Sequence, residues 1–275
     1  MLTRPIPSTG EAMPVIGLGT WRAFDVGAEV TARQPLRDVL RLLLDTGGRM
    51  IDSSPMYGRA EAVTGDLLTE KGARPHAFLA TKVWTTGRER GIEQMRRSAQ
   101  LLRTEVIDLI QIHNLVDWRT HLATLRRMKE EGRVRYIGIT HYTTGALPEL
   151  ARILGSEPGI DFVQLGYSLA TRAAETELLP TAAARGVAAI ANQPLERGTL
   201  FRCIRGRALP DWAAEFDCRS WVQLFLKYIL AEPAVTCVIP ATGNPEHMKD
   251  DLGAGFGRLP DMRQRQRIRE FWDAA

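Results

Sequence analysis

The sequence is poor in cysteine, and this excludes a disulfide framework. Its 275 residues include three cysteines, Cys203, Cys218 and Cys237, an odd number without the spacing of a metal site. Free thiols are the simplest interpretation, and they are typical of a reducing compartment. We therefore expect a cytoplasmic protein that binds no metal.

Long apolar runs and a strong net charge are also missing. No stretch is long and apolar enough to span a bilayer, and residues 1–5 lack the apolar core of a signal peptide. The net charge is only +4, and the densest basic run, residues 263–269, alternates with glutamines and contains no aromatic residue. This run predicts a solvated helix face rather than a nucleic-acid patch, so we expect neither nucleic acid nor membrane as a partner. Whether a longer precursor existed stays open.

What is present is a regular alternation of apolar strands and amphipathic helices. Residues 4–14 read as a small hairpin, and eight predicted strands follow, at residues 15–19, 50–52, 78–82, 106–113, 135–140, 162–166, 187–191 and 235–239. Helical spacing of apolar residues fills the segments between them, at residues 34–45, 60–68, 91–102, 121–131, 146–154, 175–184 and 220–230.

Eight such strands, with helices between them, predict an α/β fold, a single (β/α)8 TIM barrel with a short N-terminal β-hairpin that forms one domain over residues 1–275. An open doubly wound sheet would instead require a Gly-x-Gly-x-x-Gly turn after a strand, and Gly17-Leu18-Gly19-Thr20 stops short of it.

Polar residues end several of the predicted strands. Asp52 follows the second strand, Lys82 ends the third and His113 the fourth, while Tyr57 lies on the loop after Asp52. In a barrel these ends converge on one rim, where active sites are built. Taken singly, each residue has an ordinary explanation, since Asp52 could cap a turn, Lys82 could be a solvated rim charge, and Tyr57 and His113 could be packed core residues. Together they predict a catalytic cluster.

The cluster is suited to acid catalysis. A free tyrosine has a pKa of about 10 and donates a proton poorly near neutrality. A lysine ammonium beside it favours the phenolate and lowers that pKa, and a carboxylate such as Asp52 keeps a buried lysine charged. His113 can donate a hydrogen bond to the same oxygen position. We therefore expect Tyr57 to be a general acid that protonates a developing alkoxide.

At these residues the sequence resembles the aldo-keto reductase superfamily, from about residue 14 to residue 252. The resemblance lies in Gly17-Leu18-Gly19-Thr20-Trp21, in Ile51-Asp52 through Tyr57-Gly58, in Thr81-Lys82-Val83-Trp84 and in Leu109-Ile110-Gln111-Ile112-His113. It implies reduction of aldehydes or ketones to alcohols, with Asp52, Tyr57, Lys82 and His113 as the catalytic tetrad. The implied cofactor is NADPH, with NADH possible, and the implied partner is a small carbonyl substrate.

The resemblance also implies binding positions. Those for substrate are Trp21, Trp84, His113 and Trp118, although packing is an equal alternative for Trp118. Those for cofactor are Gly19, Thr20, Trp21, Asp52, Thr140, His141, Gln164, Asn192, Gln193, Leu195, Gly198, Thr242 and His247.

Several of these positions depart from the family pattern. Thr140-His141 stands where many members have Ser-Asn, and Asn192 replaces the tyrosine on which the nicotinamide stacks. Pro240-Ala241-Thr242 stands where members have Pro-Lys-Ser, and His247 stands where they have an arginine, so both cations usually associated with the 2′-phosphate of NADPH are absent. Asn114 stands where many members have a tryptophan, and little chain follows the eighth strand, so we infer a wide, shallow pocket.

Three alternatives remain at this point. Lys82 could act as a Schiff-base nucleophile in a lyase, although Asp52 should keep it charged. A metal on Asp52, His113 and His141 could support a hydrolase. A non-catalytic barrel could bind a nicotinamide nucleotide and sense its redox state. The sequence leaves the oligomeric state open, between a monomer and a weak dimer.

Overall fold

A computed structural model describes residues 1–274 of the chain. The strands are β1 Thr3–Pro5, β2 Ala12–Pro14, β3 Leu18–Gly19, β4 Met50–Asp52, β5 Phe78–Val83, β6 Ile107–His113, β7 Val134–His141, β8 Phe162–Gly166, β9 Ala188–Asn192 and β10 Val235–Val238. The helices are α1 Val30–Asp45, α2 Ala60–Glu70, α3 Arg88–Leu101, α4 Trp118–Glu130, α5 Leu147–Ser156, α6 Leu178–Ala184, α7 Leu200–Cys203, α8 Trp221–Leu230, α9 Pro245–Gly253 and α10 Met262–Asp273.

Strands β3 to β10 form one parallel sheet in chain order. Two further bridges, Ile16 with Val238 and Gly19 with Ala241, join the first of these strands to the last, so the sheet closes on itself. Helices connect successive strands and cover the outside. The predicted (β/α)8 barrel with a separate N-terminal hairpin is confirmed.

The hairpin of β1 and β2 covers the N-terminal end of the barrel. Ile6 and Met13 are fully buried and pack with the apolar side chains of the barrel interior. Tyr136, near the start of β7, hydrogen-bonds the hairpin through Thr9 at 2.9 Å and Glu11 at 2.7 Å. This end of the barrel is therefore filled by apolar side chains and held by polar contacts at its edge.

Along the barrel axis the interior changes from apolar to polar. Near the hairpin it is packed with Met50, Phe78, Leu109, Tyr136 and Phe162. Because side chains alternate between the two faces of a strand, the inward positions two or four residues further on are the polar ones at the C-terminal ends. These are Asp52, Lys82, Gln111, His113, Thr140, Gln164 and Asn192.

Helices α6 and α10 differ from the sequence-based expectation, and several other elements differ from it in their bounds. Helix α10 contains the basic run, but Arg265 is not solvated: its side chain is only 14% exposed and bonds Glu175 at 2.7 Å and Glu232 at 3.2 Å. The helix predicted from residue 175 begins at Leu178, because a separate 3₁₀ turn occupies Ala173–Glu175. Within residues 1–274, no helix has the length and apolar character needed to cross a membrane.

Candidate active site

The polar end of the barrel brings Asp52 and Lys82 into direct contact. Lys82 Nζ donates to Asp52 Oδ2 at 2.6 Å and to the Ser53 carbonyl at 2.8 Å, and both side chains are almost fully buried. Burial alone lowers the pKa of an ammonium group. Here the charge and the hydrogen bond of Asp52, helped by Tyr57, outweigh burial and raise the pKa of Lys82. The lysine is therefore a cation, and unsuited to Schiff-base chemistry.

Tyr57 lies over this pair, with Lys82 Nζ 5.2 Å from the centre of its ring. We expected the pKa of Tyr57 to be lowered, and for the protein without bound ligands this prediction is wrong. Burial raises the pKa of Tyr57, and the charge of Lys82 offsets this only in part, while the charge of Asp52 adds to it. Sequence reasoning weighed the cation and not the burial. The hydroxyl is therefore fully protonated at neutral pH, which is the state that a proton donor needs.

His113 ends β6 beside Tyr57, and the two rings meet edge to face with centroids 6.2 Å apart. Burial lowers the pKa of His113 to about 3, and the positive charge of Lys82 and the proximity of His141 act in the same direction. The imidazole is therefore neutral at physiological pH, so one ring nitrogen carries a proton and the other accepts.

Two glutamines fix the carboxylate of Asp52 from across the barrel. Gln111 Nε2 donates to Asp52 Oδ1 at 3.0 Å, and Gln164 Nε2 donates to the same oxygen at 2.9 Å. A glycine makes room for Gln111, since a Cβ at Gly138 would lie 2.8 Å from its Cγ. Asp52 is thus oriented with its other oxygen towards Lys82.

Sequence reasoning missed Gln111 as a site residue. The signal that reveals it is alternation: Gln111 precedes His113 by two residues on β6, so both face the interior. Gln164 had been predicted as a cofactor contact. In the structure its amide also bonds Asp52, while its oxygen accepts from Asn192 at 3.1 Å and from Thr140 at 3.4 Å.

The remaining predicted cofactor positions lie on loops at the same barrel end. Gly19 ends β3, and the hydroxyl of the next residue, Thr20, donates to the Asp52 carbonyl at 3.0 Å. Trp21 follows and is half-buried beneath the guanidinium groups of Arg22 and Arg197. On the loop after β9, left-handed backbone occurs at Gln193 and Gly198, and Leu195 packs against the core.

Positions after β10 and on the rim are more dispersed. Thr242 is buried and bonds Asn244, whereas His247 is exposed on α9. His141 ends β7 and bonds Thr143 through Nδ1.

Of the predicted substrate walls, Trp84 is 42% exposed, whereas Trp118 begins α4 and is packed in the hydrophobic core, which favours the packing alternative.

Comparison with known proteins identifies the family of the chain. The sequence model of the Aldo/keto reductase family matches residues 15–273. The chain belongs to this family. The chain is similar to the methylglyoxal reductase YeaE of Escherichia coli, with 26% identity over 87% of this chain and 84% of that protein. It is also similar to the 9,11-endoperoxide prostaglandin H2 reductase of Trypanosoma cruzi, with 28% identity over 92% of this chain and 86% of that protein.

A solved structure gives the same result. An aldo/keto reductase from Klebsiella pneumoniae in complex with NADP and acetate superposes with a TM-score of 0.80 and 25% identity, over 96% of this chain and 93% of that one. The family resemblance and the reductase class predicted from the sequence are confirmed. In the described part of the chain, no three His, Cys, Asp or Glu side chains converge as metal ligands, so the metal-dependent hydrolase loses its proposed site.

Proposed function

We propose that this protein reduces aldehydes or ketones to alcohols with NADPH, and that Tyr57 is the general acid. The observation that supports these roles best is the buried Lys82–Asp52 pair, which places a permanent cation under the ring of a protonated tyrosine. A neutral histidine completes the cluster at the edge of that ring. These are the parts that carbonyl reduction requires: a proton donor, a group that stabilises its conjugate base, and a donor that orients the carbonyl oxygen.

The proton transfer follows from this arrangement. When bound, the reduced nicotinamide supplies the hydride that adds to the carbonyl carbon. The carbonyl oxygen gains negative charge and takes the hydroxyl proton of Tyr57. Lys82 stabilises the phenolate left behind, since its ammonium is held charged by Asp52. His113 donates a hydrogen bond to the same oxygen, which aligns the carbonyl with Tyr57.

The site contains unused acceptors suited to a nicotinamide carboxamide. Asn192 Oδ1 is buried and has no hydrogen-bond partner within residues 1–274. An amide N–H of the cofactor would satisfy it, and Thr140 and His141 lie at the same barrel end, where β7 ends. NADH remains possible, because Thr242 and His247 offer the 2′-phosphate no permanent cation. Arg258, which could have compensated, is paired with Asp217 at 3.2 Å.

The favoured substrates are small activated carbonyls such as dicarbonyls. Trp84 is strongly exposed and Trp21 partly so, and both belong to the loops around the mouth. A relative named as a methylglyoxal reductase is consistent with this class. We also propose a cytoplasmic location, which the three free cysteines support.

The test is the Tyr57→Phe variant, which keeps the ring and removes the proton donor. NADPH oxidation with a dicarbonyl substrate should fall about 10²–10⁴-fold, while NADPH affinity measured by tryptophan fluorescence stays unchanged. Tyr136→Phe, which makes the same exchange at the hairpin end of the barrel, serves as the control for general effects of losing a tyrosine hydroxyl. A loss smaller than about tenfold would assign the acid elsewhere.

A non-catalytic nucleotide sensor is the second candidate, favoured by the replacement of the stacking tyrosine with Asn192. It predicts NADPH binding without turnover of any carbonyl by the wild-type protein.

Borohydride treatment with a carbonyl substrate tests the lyase alternative, since only a Schiff base would leave a covalent adduct on Lys82.

A further inference from the structure

Ser54 contacts the candidate site at His113, and the proposed carbonyl chemistry gives Ser54 no role. It lies on the loop between β4 and Tyr57 and is fully buried. Its Oγ is 3.2 Å from His113 Nδ1, a contact that joins residues 59 positions apart in the chain. Within residues 1–274, no other side chain or carbonyl hydrogen-bonds the His113 ring, so Nε2 is left for a ligand.

The direction of this hydrogen bond follows from counting donors and acceptors. The backbone N–H of Met56 donates to Ser54 Oγ at 3.4 Å, so that oxygen already accepts a proton. If Nδ1 also donated to it, the buried hydroxyl proton would have no acceptor among the described residues. If the hydroxyl donates to Nδ1 instead, the hydroxyl proton and Nδ1 both have a partner, and only Nε2 is left for a ligand. Buried polar groups strongly favour the second arrangement.

We propose that Ser54 is a positioning residue that fixes His113 in the tautomer protonated at Nε2. Nδ1 accepts from Ser54, so the proton of the neutral imidazole resides on the nitrogen that is free to meet substrate. The proposal rests on the proposed function for its chemical meaning, since an N–H at that position donates to a carbonyl oxygen whereas a bare nitrogen repels it.

The tautomer can be measured without substrate. In protein labelled with ¹⁵N in histidine, long-range ¹H–¹⁵N spectra distinguish a protonated Nε2 from a protonated Nδ1, and His113→Gln assigns the signal. His121 serves as an internal reference, because its Nε2 lies 2.7 Å from the carbonyl oxygen of Thr85, which can only accept. We expect His113 to show the same Nε2–H pattern as His121.

The matched variants are Ser54→Ala and Ser54→Thr. Alanine removes the donor, so His113 should change to a mixture of tautomers or to Nδ1–H while His121 is unaltered. The kcat/KM for a carbonyl should fall about five- to tenfold, the size expected for one hydrogen bond, with NADPH affinity unchanged. Threonine keeps the hydroxyl and should restore both the spectrum and most of the rate.

Two results would overturn the proposal: Nδ1–H in wild-type protein, or an unchanged His113 spectrum in Ser54→Ala. The first needs no variant, so the proposal is testable even where Ser54→Ala does not fold. Its failure is also separable from that of the proposed function. A protein with the expected tautomer but no carbonyl turnover would refute the reductase assignment alone, and an active enzyme with Nδ1–H would refute only the role of Ser54.

Discussion

Removing the charge of Asp52 should leave the buried Lys82 cation without a counter-charge and destabilise the fold. In Asp52→Asn, Lys82 stays in place with a side chain that is only 1% exposed. Breaking a buried ion pair from one side typically costs about 3–5 kcal/mol of unfolding free energy, because the other charge is left uncompensated. The variant keeps the size of the side chain, so packing should change little.

The hydrogen bonds around Asp52 place the loss within that range. The carboxylate accepts on both oxygens, from Lys82 on one and from Gln111 and Gln164 on the other. Asparagine has a single acceptor oxygen, so its NH₂ group must face donors on one side. Two features limit the damage: the Ser53 carbonyl still accepts from Lys82, and Gln111 can turn its unpartnered Oε1 towards the new NH₂. We therefore expect a loss near the lower end, about 3 kcal/mol.

The assay is urea unfolding at about pH 7 and again near pH 10, with Asp217→Asn as the matched control. That control makes the same substitution in an exposed ion pair with Arg258, and it should lose only a small fraction of the unfolding free energy that Asp52→Asn loses. The double variant Asp52→Asn with Lys82→Met removes both charges, and it should recover at least half of the single-variant loss.

The pH dependence supplies a sign. In wild type the pKa of Lys82 is raised above its ordinary value of 10.5, so its stabilising contribution is present below that value and is lost as pH rises through the native pKa. In Asp52→Asn burial dominates and lowers the native pKa, so the penalty shrinks as pH approaches 10.5 from below. The difference in unfolding free energy between wild type and Asp52→Asn should therefore decrease from pH 7 upwards. A loss below about 1 kcal/mol at pH 7, or a double variant less stable than the single one, would refute the reasoning.

Three further outcomes are expected. Gln111→Leu should lower kcat several-fold with little change in NADPH affinity, because Asp52 loses one of the amides that orient it. Gln111→Glu should lower kcat further, since a second carboxylate then faces Asp52. Equal kinetics for wild type and the two variants would contradict this role of Gln111. NADPH should be preferred over NADH only weakly, because no permanent cation faces the 2′-phosphate. His247→Arg should tighten binding of NADPH alone, and a thousandfold preference for NADPH in wild type would contradict this site. His113 has a native pKa of about 3, below its ordinary 6.5, so between these pH values the histidine is protonated only in the unfolded state. The free energy of unfolding, measured with urea, should therefore fall as pH drops below 6.5, and it should fall less steeply in His113→Gln.

The fold was predictable because its signals are local. Each strand of the barrel is a short apolar run followed by a helix with apolar residues at helical spacing, and both patterns can be read one segment at a time. The approach of Asp52 to Lys82 followed from the same reading, since the ends of parallel strands meet at one rim. Boundaries were less predictable: α4 begins at Trp118 rather than at residue 121, because contacts with neighbouring elements decide the first turn.

What could not be predicted depends on contacts between distant strands. Ser54 reaches His113 and Gln111 reaches Asp52 only after the barrel closes. Alternation along β6 places Gln111 inside the barrel but does not identify its partner, and no local pattern marks Ser54. The direction of the Tyr57 pKa shift was missed for a related reason. It is the balance of burial against one nearby cation, and the degree of burial is set by the whole barrel.

The hairpin that fills the N-terminal end of the barrel also decides how the protein can be handled. Residue 2 is tied by a backbone hydrogen bond to Gly255, and the strands that follow it lie at the end opposite Tyr57 and Trp84. A tether joined through residue 1 would therefore leave from the closed end. Protein immobilised on a resin or electrode in this way should present its open mouth to the solution, so its KM for a carbonyl should match that of the free enzyme.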